Sequence, residues 1–154
     1  MPKFEIKKFK SQRGHEGPGY ACELWMDDKL AAHCYDEGRG GSPLVQYVSG
    51  DVGRQIRQHI LTMPPYHWEK SKWEEAHDSP MDEELFMLQL VCAFETQKTY
   101  IRQCKKQTLI RLKTDTPTQY HIYKKPYTPE LATQIRKHYG DQLAEIINET
   151  LANN

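Results

Sequence analysis

Apolar and polar residues alternate along the first third of the chain, which is the pattern of β-strands with one buried face. In the third of these runs we expect Leu30, Ala32 and Cys34 on one face and His33 on the other. Turn residues separate the runs, so the simplest assembly is an antiparallel meander. The predicted strands cover residues 3–9, 20–26, 30–36 and 43–48, with a tight turn at 27–29.

The period then changes to that of a helix. Val52, Ile56 and Ile60 are four residues apart, between capping residues at 49–51 and two prolines at 64–65, and this spacing predicts a helix. The following segment, residues 66–80, holds two tryptophans among charged residues. It fits either an ordered loop or a short helix.

A second helix is predicted after this segment. Ser79 is its expected N-cap, Pro80 its first residue, and Asp82 follows three residues after the cap. From Leu85 to Phe94 the sequence is apolar almost all round, which predicts a central helix that is buried on most sides.

The last third opens with two short strand-like runs, 108–114 and 119–125, which predict a basic β-hairpin. Thr128 and Pro129 then favour a helix start, Gly140 its end, and a further helix is expected from Asp141. The whole chain, residues 1–154, therefore predicts one α+β domain. It contains an N-terminal antiparallel meander, a buried central helix, a second β-hairpin and C-terminal helices.

Charge changes this picture only locally. Acidic and basic residues balance at 21 each, so nothing global argues for nucleic acid or an anionic membrane. Residues 98–125, however, carry eight Lys/Arg against Asp115, and residues 69–84 carry seven acids against two lysines. The chain has no apolar run of about 18 residues and no signal-peptide core at its start, so we expect a cytoplasmic protein.

Catalytic and metal-binding patterns are weak. The four cysteines show no CxxC spacing, no serine lies in a GxSxG elbow, and no cofactor or metal is predicted. Strand alternation sends His33 and Cys34 to opposite faces, so they do not form a nucleophile–base pair. His15 is the one histidine in a glycine-rich loop and the one candidate base, so catalysis is the weaker hypothesis and no catalytic residue is assigned.

Two glycine-rich loops, RGHEGPGY at 13–20 and DEGRGGSP at 36–43, supply a candidate ligand site. A meander brings both loops to the same end of the sheet, where glycine amides and arginines suit a phosphate-bearing small molecule. The alternative is that these are plain turns, because neither GxGxxG nor GxxxxGK[ST] occurs. The candidate ligand-binding residues are Arg13, His15, Gly17, Gly19, Tyr20, Arg39, Gly40 and Gly41.

The charged segments give two further candidate surfaces. The acidic stretch can match a basic patch on a partner protein, and the basic hairpin 108–125 can meet nucleic acid. The candidate partner-binding residues are Trp68, Trp73, Glu74 and Glu75, and the nucleic-acid alternative uses Arg111, Lys113, Lys124 and Lys125.

Both ends of the chain resemble a known family. The opening FEIKKFKSQRGHEGPGYACELWMDDKLAAHCYDEGRGG is similar to the N-terminal part of small, largely uncharacterised proteins of tailed bacteriophages. The ending YTPELATQIRKHYGDQLAEIINE resembles their closing segment, where a KKYGD-like helix break precedes a final helix. The two matches cover roughly half of the chain, and no functional residue is carried over because the motifs have no assigned chemistry.

The resemblance implies a phage product that works in the host cytoplasm as an accessory or anti-defence factor. We therefore expect a non-enzymatic binding protein that sequesters a nucleotide-like small molecule or blocks a host protein. The alternatives are a nucleic-acid-binding accessory protein that uses 108–125 and a small nucleotide-acting enzyme.

Overall fold

Strands and helices follow each other in blocks along the chain, and a computed structural model describes all residues, Met1–Asn154. The strands are β1 Phe4–Arg13, β2 Pro18–Met26, β3 Lys29–Asp36, β4 Leu44–Tyr47, β5 Tyr66–Trp68, β6 His77–Ser79, β7 Thr108–Leu112, β8 His121–Tyr123 and β9 Leu143–Ile146. The helices are α1 Gly50–Thr62, α2 Glu83–Cys104, α3 Pro129–Tyr139 and α4 Ile147–Ala152. The predicted α+β class is confirmed.

Contacts along the backbone divide the chain into two compact units, Met1–Phe94 and Glu95–Asn154, with the boundary inside α2. In the first unit the predicted meander is confirmed, since β1, β2, β3 and β4 pair in that order and are antiparallel throughout. Asp27 and Asp28 join β2 to β3 with φ of 49° and 62°. Positive φ at both residues is the geometry of a type I′ hairpin turn.

A β-bulge changes the faces of β3. Leu24 pairs with Ala32 and Trp25 with Leu30, so Ala31 is an extra residue on the bulged strand. Directly paired residues share a face, and Leu30 therefore lies on the face of Trp25. The prediction that Leu30 shares a face with Ala32 is wrong for this reason.

The two long helices that begin in the first unit, α1 and α2, have N-caps of different residue types. Ser49 is the N-cap of α1, as predicted, and its Oγ accepts a hydrogen bond from the Val52 amide. For α2 the predicted cap is wrong. Asp82 Oδ1 accepts from the Leu85 amide at 2.8 Å, whereas Ser79 ends β6.

The core of the first unit lies between one face of the sheet and the two helices. Leu24 and Ile56 are fully buried there, against Phe86, Met87 and Val91 of α2. The apolar run of α2, residues 85–94, is buried or half-buried at seven of its ten positions, which agrees with the predicted burial on most sides. Its face away from the core exposes Gln89, Cys92 and Ala93.

Residues 66–80 contain no helix, and the predicted ordered loop is present only between two short strands that the prediction missed. Strands β5 and β6 pair as an antiparallel hairpin, with Tyr66 opposite Ser79 and Trp68 opposite His77. We call residues 66–79 the acidic hairpin. Its aromatic side chains stabilise this arrangement, because the Trp68 ring stacks on His77 with centroids 6.1 Å apart and packs edge-on against Tyr66.

The second unit confirms the predicted basic hairpin, β7 with β8, and adds a third strand. Thr128 caps α3 and Gly140, with φ of 53°, ends it, as predicted. The helix predicted from Asp141 is wrong. A short 3-10 turn leads into β9, which pairs with β7 and buries Ile146, and only then does α4 begin.

No helix in the structure is long and apolar enough to cross a membrane.

Candidate binding site

The two glycine loops meet at one end of the first sheet, as predicted. The Glu16 amide donates to the Gly38 carbonyl at 3.0 Å, which joins one loop to the other. A Cβ on Gly14 would lie 2.4 Å from the Gly38 oxygen, and a Cβ on Gly19 would lie 2.3 Å from the Asp36 oxygen. Glycine is required at these positions because the two backbones approach so closely.

Backbone amides of the glycine loops, which an anion would need as donors, already donate to groups of the protein. The Gly14 amide donates to Gly17 O at 2.9 Å, and the Gly38 amide donates to the Asp36 carboxylate at 2.8 Å. Arg39 lies 3.3 Å from the carboxylate of Glu37 in its own loop. Arg39 is therefore already paired with a carboxylate.

The remaining predicted ligand residues fall into two groups. Arg13 and His15 are exposed beside the loop contact, and Gly40 and Gly41 are exposed in the second loop. Gly17, Gly19 and Tyr20 are at least half-buried in the structure. The meeting of the two loops was therefore predicted from the sequence, but only some of the predicted ligand-binding residues are exposed to solvent.

A cavity of about 250 Å³ opens beside the second loop. Its charged lining consists of Asp36, Glu37 and Arg39, and Glu37 already pairs with the arginine. A phosphate entering this cavity would meet a net negative lining, which disfavours it. The full lining is Tyr35, Asp36, Glu37, Arg39, Gly41, Ser42 and Leu44.

A second cavity, of about 160 Å³, shares Asp36 and Gly41 with the first. Its walls are mostly apolar and carry two carboxylates and no basic side chain. It is lined by Tyr20, Asp36, Gly41, Pro43, Trp68, Glu84, Leu85, Leu88 and Val91. We call it the Trp68 cavity.

The Trp68 cavity brings together residues that sequence reasoning had placed in separate sites. Tyr20 and Gly41 belonged to the predicted ligand site, and Trp68 belonged to the predicted partner surface. The contribution of α2, through Leu85 and Leu88, was missed. The apolar run of α2 was visible in the sequence, but no local pattern indicated that residues 66–79 would fold beside it.

Hydrogen bonds hold the polar groups of this cavity in place. The Ser42 hydroxyl donates to Glu84 Oε2 at 2.6 Å, and the Trp68 indole donates to the Ser79 hydroxyl at 3.1 Å. Burial raises the pKa of Tyr20, so its phenol stays neutral, and its ring stacks on Phe9. The cavity therefore presents fixed carboxylates and neutral aromatic rings.

The loop of the acidic hairpin is the most exposed aromatic feature of the chain. Trp73 keeps 86% of its surface accessible. The Ser71 hydroxyl accepts from the amides of both Trp73 and Glu74, at 3.2 and 3.1 Å, and this turn fixes the backbone that carries the ring. Of the predicted partner residues, Trp73, Glu74 and Glu75 lie in this loop, whereas Trp68 is half-buried in the cavity wall.

In the second unit, Arg111 is not available as predicted. Its guanidinium donates to the Glu145 carboxylate and, at 2.8 Å, to the Tyr100 hydroxyl. Lys113, Lys124 and Lys125 are exposed. The predicted nucleic-acid surface therefore consists of these three lysines without the arginine.

No family model, curated protein or solved structure matches the chain. The structure contains no group of three or more His, Cys, Asp or Glu side chains arranged to hold a metal ion.

Proposed function

We propose that the protein is a non-enzymatic binding protein that blocks a partner protein through the loop of its acidic hairpin. The observation that carries this proposal is the exposure of Trp73 on a backbone fixed by Ser71. A large aromatic ring held in water loses little conformational freedom on binding and gains a large buried area, which is typical of interface anchors.

The charged side chains around the Trp73 ring indicate which kind of partner surface fits it. Lys70 lies 2.8 Å from Glu75, and the Lys72 ammonium lies 5.0 Å from the centre of the Trp73 ring. The hairpin carries four acids against these two lysines, so its net charge is negative; the acids are Glu69, Glu74, Glu75 and Asp78. The fitting partner carries an apolar pocket for the indole with a basic rim around it.

The setting follows from the resemblance of the two chain ends to tailed-phage proteins. It makes the partner a host factor in the host cytoplasm and the role that of an accessory or anti-defence protein. Two acidic-hairpin features support blocking over sequestration: the exposed ring and the negative charge. The pairing of Arg39 with Glu37 also weakens the case for a nucleotide-like ligand.

The test compares two exposed apolar residues. Trp73→Ala removes the proposed anchor, and Leu61→Ala, at a residue of α1 that is 82% exposed, is the matched control. Tagged proteins are used to capture partners from bacterial extract, and a captured protein is then purified and titrated by calorimetry. We expect Trp73→Ala to weaken binding by tenfold or more, Leu61→Ala to leave it unchanged, and added salt to weaken it for the wild type. Equal affinity of wild type and Trp73→Ala would refute the proposal.

A second candidate function, binding of nucleic acid, is favoured by the exposure of Lys113, Lys124 and Lys125 on a short β-hairpin. The charge-reversed variant Lys124→Glu/Lys125→Glu tests it. Loss of binding to any nucleic acid sequence, with unchanged folding, would support this function. Absence of wild-type binding to single- and double-stranded probes at low salt would exclude it.

A further inference from the structure

The Trp68 cavity suggests a second binding function, which does not depend on the proposed blocking of a partner protein. Its size, its walls and its charges each restrict what can occupy it. A cavity of about 150 Å³ is large enough for benzene. At about 160 Å³, the Trp68 cavity takes a single small ring or a short branched chain.

The walls favour an apolar body. Leu85, Leu88 and Val91 of α2 form one side, and the rings of Tyr20 and Trp68 contribute aromatic surface. Aromatic faces attract a cation within about 6 Å of their centres, most strongly where water is displaced. The rings therefore suit an apolar group that ends in positive charge.

The two carboxylates that line the Trp68 cavity also favour a positively charged group. Glu84 Oε2 accepts from Ser42, and Asp36 Oδ1 accepts from the Gly38 amide, so each acid is held by one oxygen and keeps a second oxygen for a ligand. Glu84 lies in the first turn of α2, where the helix dipole stabilises a negative charge. No basic side chain lines the cavity to neutralise either acid.

We propose that the Trp68 cavity is a binding site for a small organic cation that has an apolar body of about the size of benzene and an ammonium or amidinium head. The body lies against the α2 wall and the two rings, and the head lies at the carboxylates of Asp36 and Glu84. This site takes the opposite charge to the phosphate-bearing ligand expected from the glycine loops.

Three probes of nearly the same shape separate charge from size: benzamidinium, neutral benzamide and anionic benzoate. They are titrated into the ¹⁵N-labelled full-length protein, and the shifts of the Trp68 indole and of the Leu85 and Leu88 amides are followed. We expect saturable binding of benzamidinium in the millimolar range, as for a fragment of this size, at least fivefold weaker binding of benzamide, and none of benzoate.

Two charge variants locate the site. Glu84→Gln keeps an oxygen for Ser42, removes the charge, and is expected to weaken benzamidinium about fivefold without changing benzamide. Glu37→Gln, whose side chain lines only the neighbouring cavity, is the matched control and is expected to leave both affinities unchanged. Leu88→Phe fills the cavity and is expected to abolish the shifts of all probes, with the wild-type spectrum retained elsewhere.

Three results would overturn the proposal. The first is equal binding of benzamide or benzoate, because charge would then play no part. The second is benzamidinium binding that Glu84→Gln and Leu88→Phe leave unchanged, or shifts confined to residues outside the cavity. The third is the absence of any shift when the benzamidinium concentration is 20-fold above the expected dissociation constant.

Discussion

The glycine loops and the acidic hairpin are both turn-rich segments of the first unit, and they use their turns in different ways. In the glycine loops one backbone packs against another, and amides such as those of Gly14 and Gly38 find acceptors inside the protein. In the acidic hairpin a single side chain, Ser71, fixes the turn and leaves Trp73 in solvent. Glycine content thus reports close backbone packing here, while the most exposed aromatic side chain, Trp73, lies in a loop that has no glycine.

The largest expected effect tests the packing of the glycine loops. Gly14→Ala would place a Cβ within 2.6 Å of three backbone oxygens, so we expect a loss of about 3 kcal/mol in the free energy of unfolding. Gly41→Ala, where a Cβ meets nothing within 4 Å, should stay within about 0.5 kcal/mol of wild type. Urea unfolding measures both. Equal stability of the two variants would mean that the loops are ordinary turns without the described contact.

The next effect separates the two tryptophans of the hairpin. Trp68 is half-buried and hydrogen-bonded to Ser79, so Trp68→Ala should cost about 2 kcal/mol of stability, less than the loss for a fully buried tryptophan. Trp73→Ala should change stability by less than about 0.5 kcal/mol because the ring is exposed. Thermal and urea unfolding check this. A stability loss for Trp73→Ala that matches the loss for Trp68→Ala would show that Trp73 is a packing residue.

A smaller effect concerns the turn that holds Trp73. Ser71→Ala removes the acceptor of two amides, so hydrogen exchange at Trp73 and Glu74 should accelerate by roughly tenfold, which corresponds to about 1.4 kcal/mol of local stability. Global stability should not change. Unchanged exchange rates at both amides would contradict the role given to Ser71.

Much of the fold could be predicted from the sequence. The wrong predictions concern features that local sequence patterns do not show. Period-2 alternation is local, so it predicted β2 with Cys22 and Leu24 facing the core. Strand β9 was missed because its partner β7 lies about 30 residues earlier in the chain, and the pairing of Arg111 with Glu145 is a tertiary contact. The bulge at Ala31 was missed because alternation does not show an extra residue.

The candidate sites were likewise predicted only where a local pattern or a topology rule applied. The meander rule placed the two glycine loops together, but it gave no sign that Glu37 would pair with Arg39. The acidic hairpin has no strong strand signal, and its form depends on stacking between Trp68 and His77. The Trp68 cavity requires loop, hairpin and helix at once, which no local pattern encodes.

The smallest expected effect is a pH dependence in the sheet that supports the glycine loops. A hydrogen bond from the Trp25 indole, with a further contribution from Lys8, lowers the pKa of Glu23 below its ordinary value of 4.5. A lowered folded-state pKa gives stability that is present above pH 4.5 and is lost as pH falls through the folded value.

The variant Glu23→Gln isolates this contribution. It should be slightly less stable than wild type at pH 7, and the difference should shrink as the pH falls from about 4.5 towards 3. Urea unfolding across this range measures it. A difference that stays constant with pH would assign the effect to packing.

The most direct test of the contrast between the two regions is native mass spectrometry of protein purified gently from bacterial cells. Wild type, Trp73→Ala and the triple variant Arg13→Ala/His15→Ala/Arg39→Ala are compared. We expect a bound partner protein on wild type and on the triple variant, and its loss from Trp73→Ala. A bound phosphorylated small molecule that is lost from the triple variant and kept by Trp73→Ala would contradict this expectation and make the glycine loops the binding site.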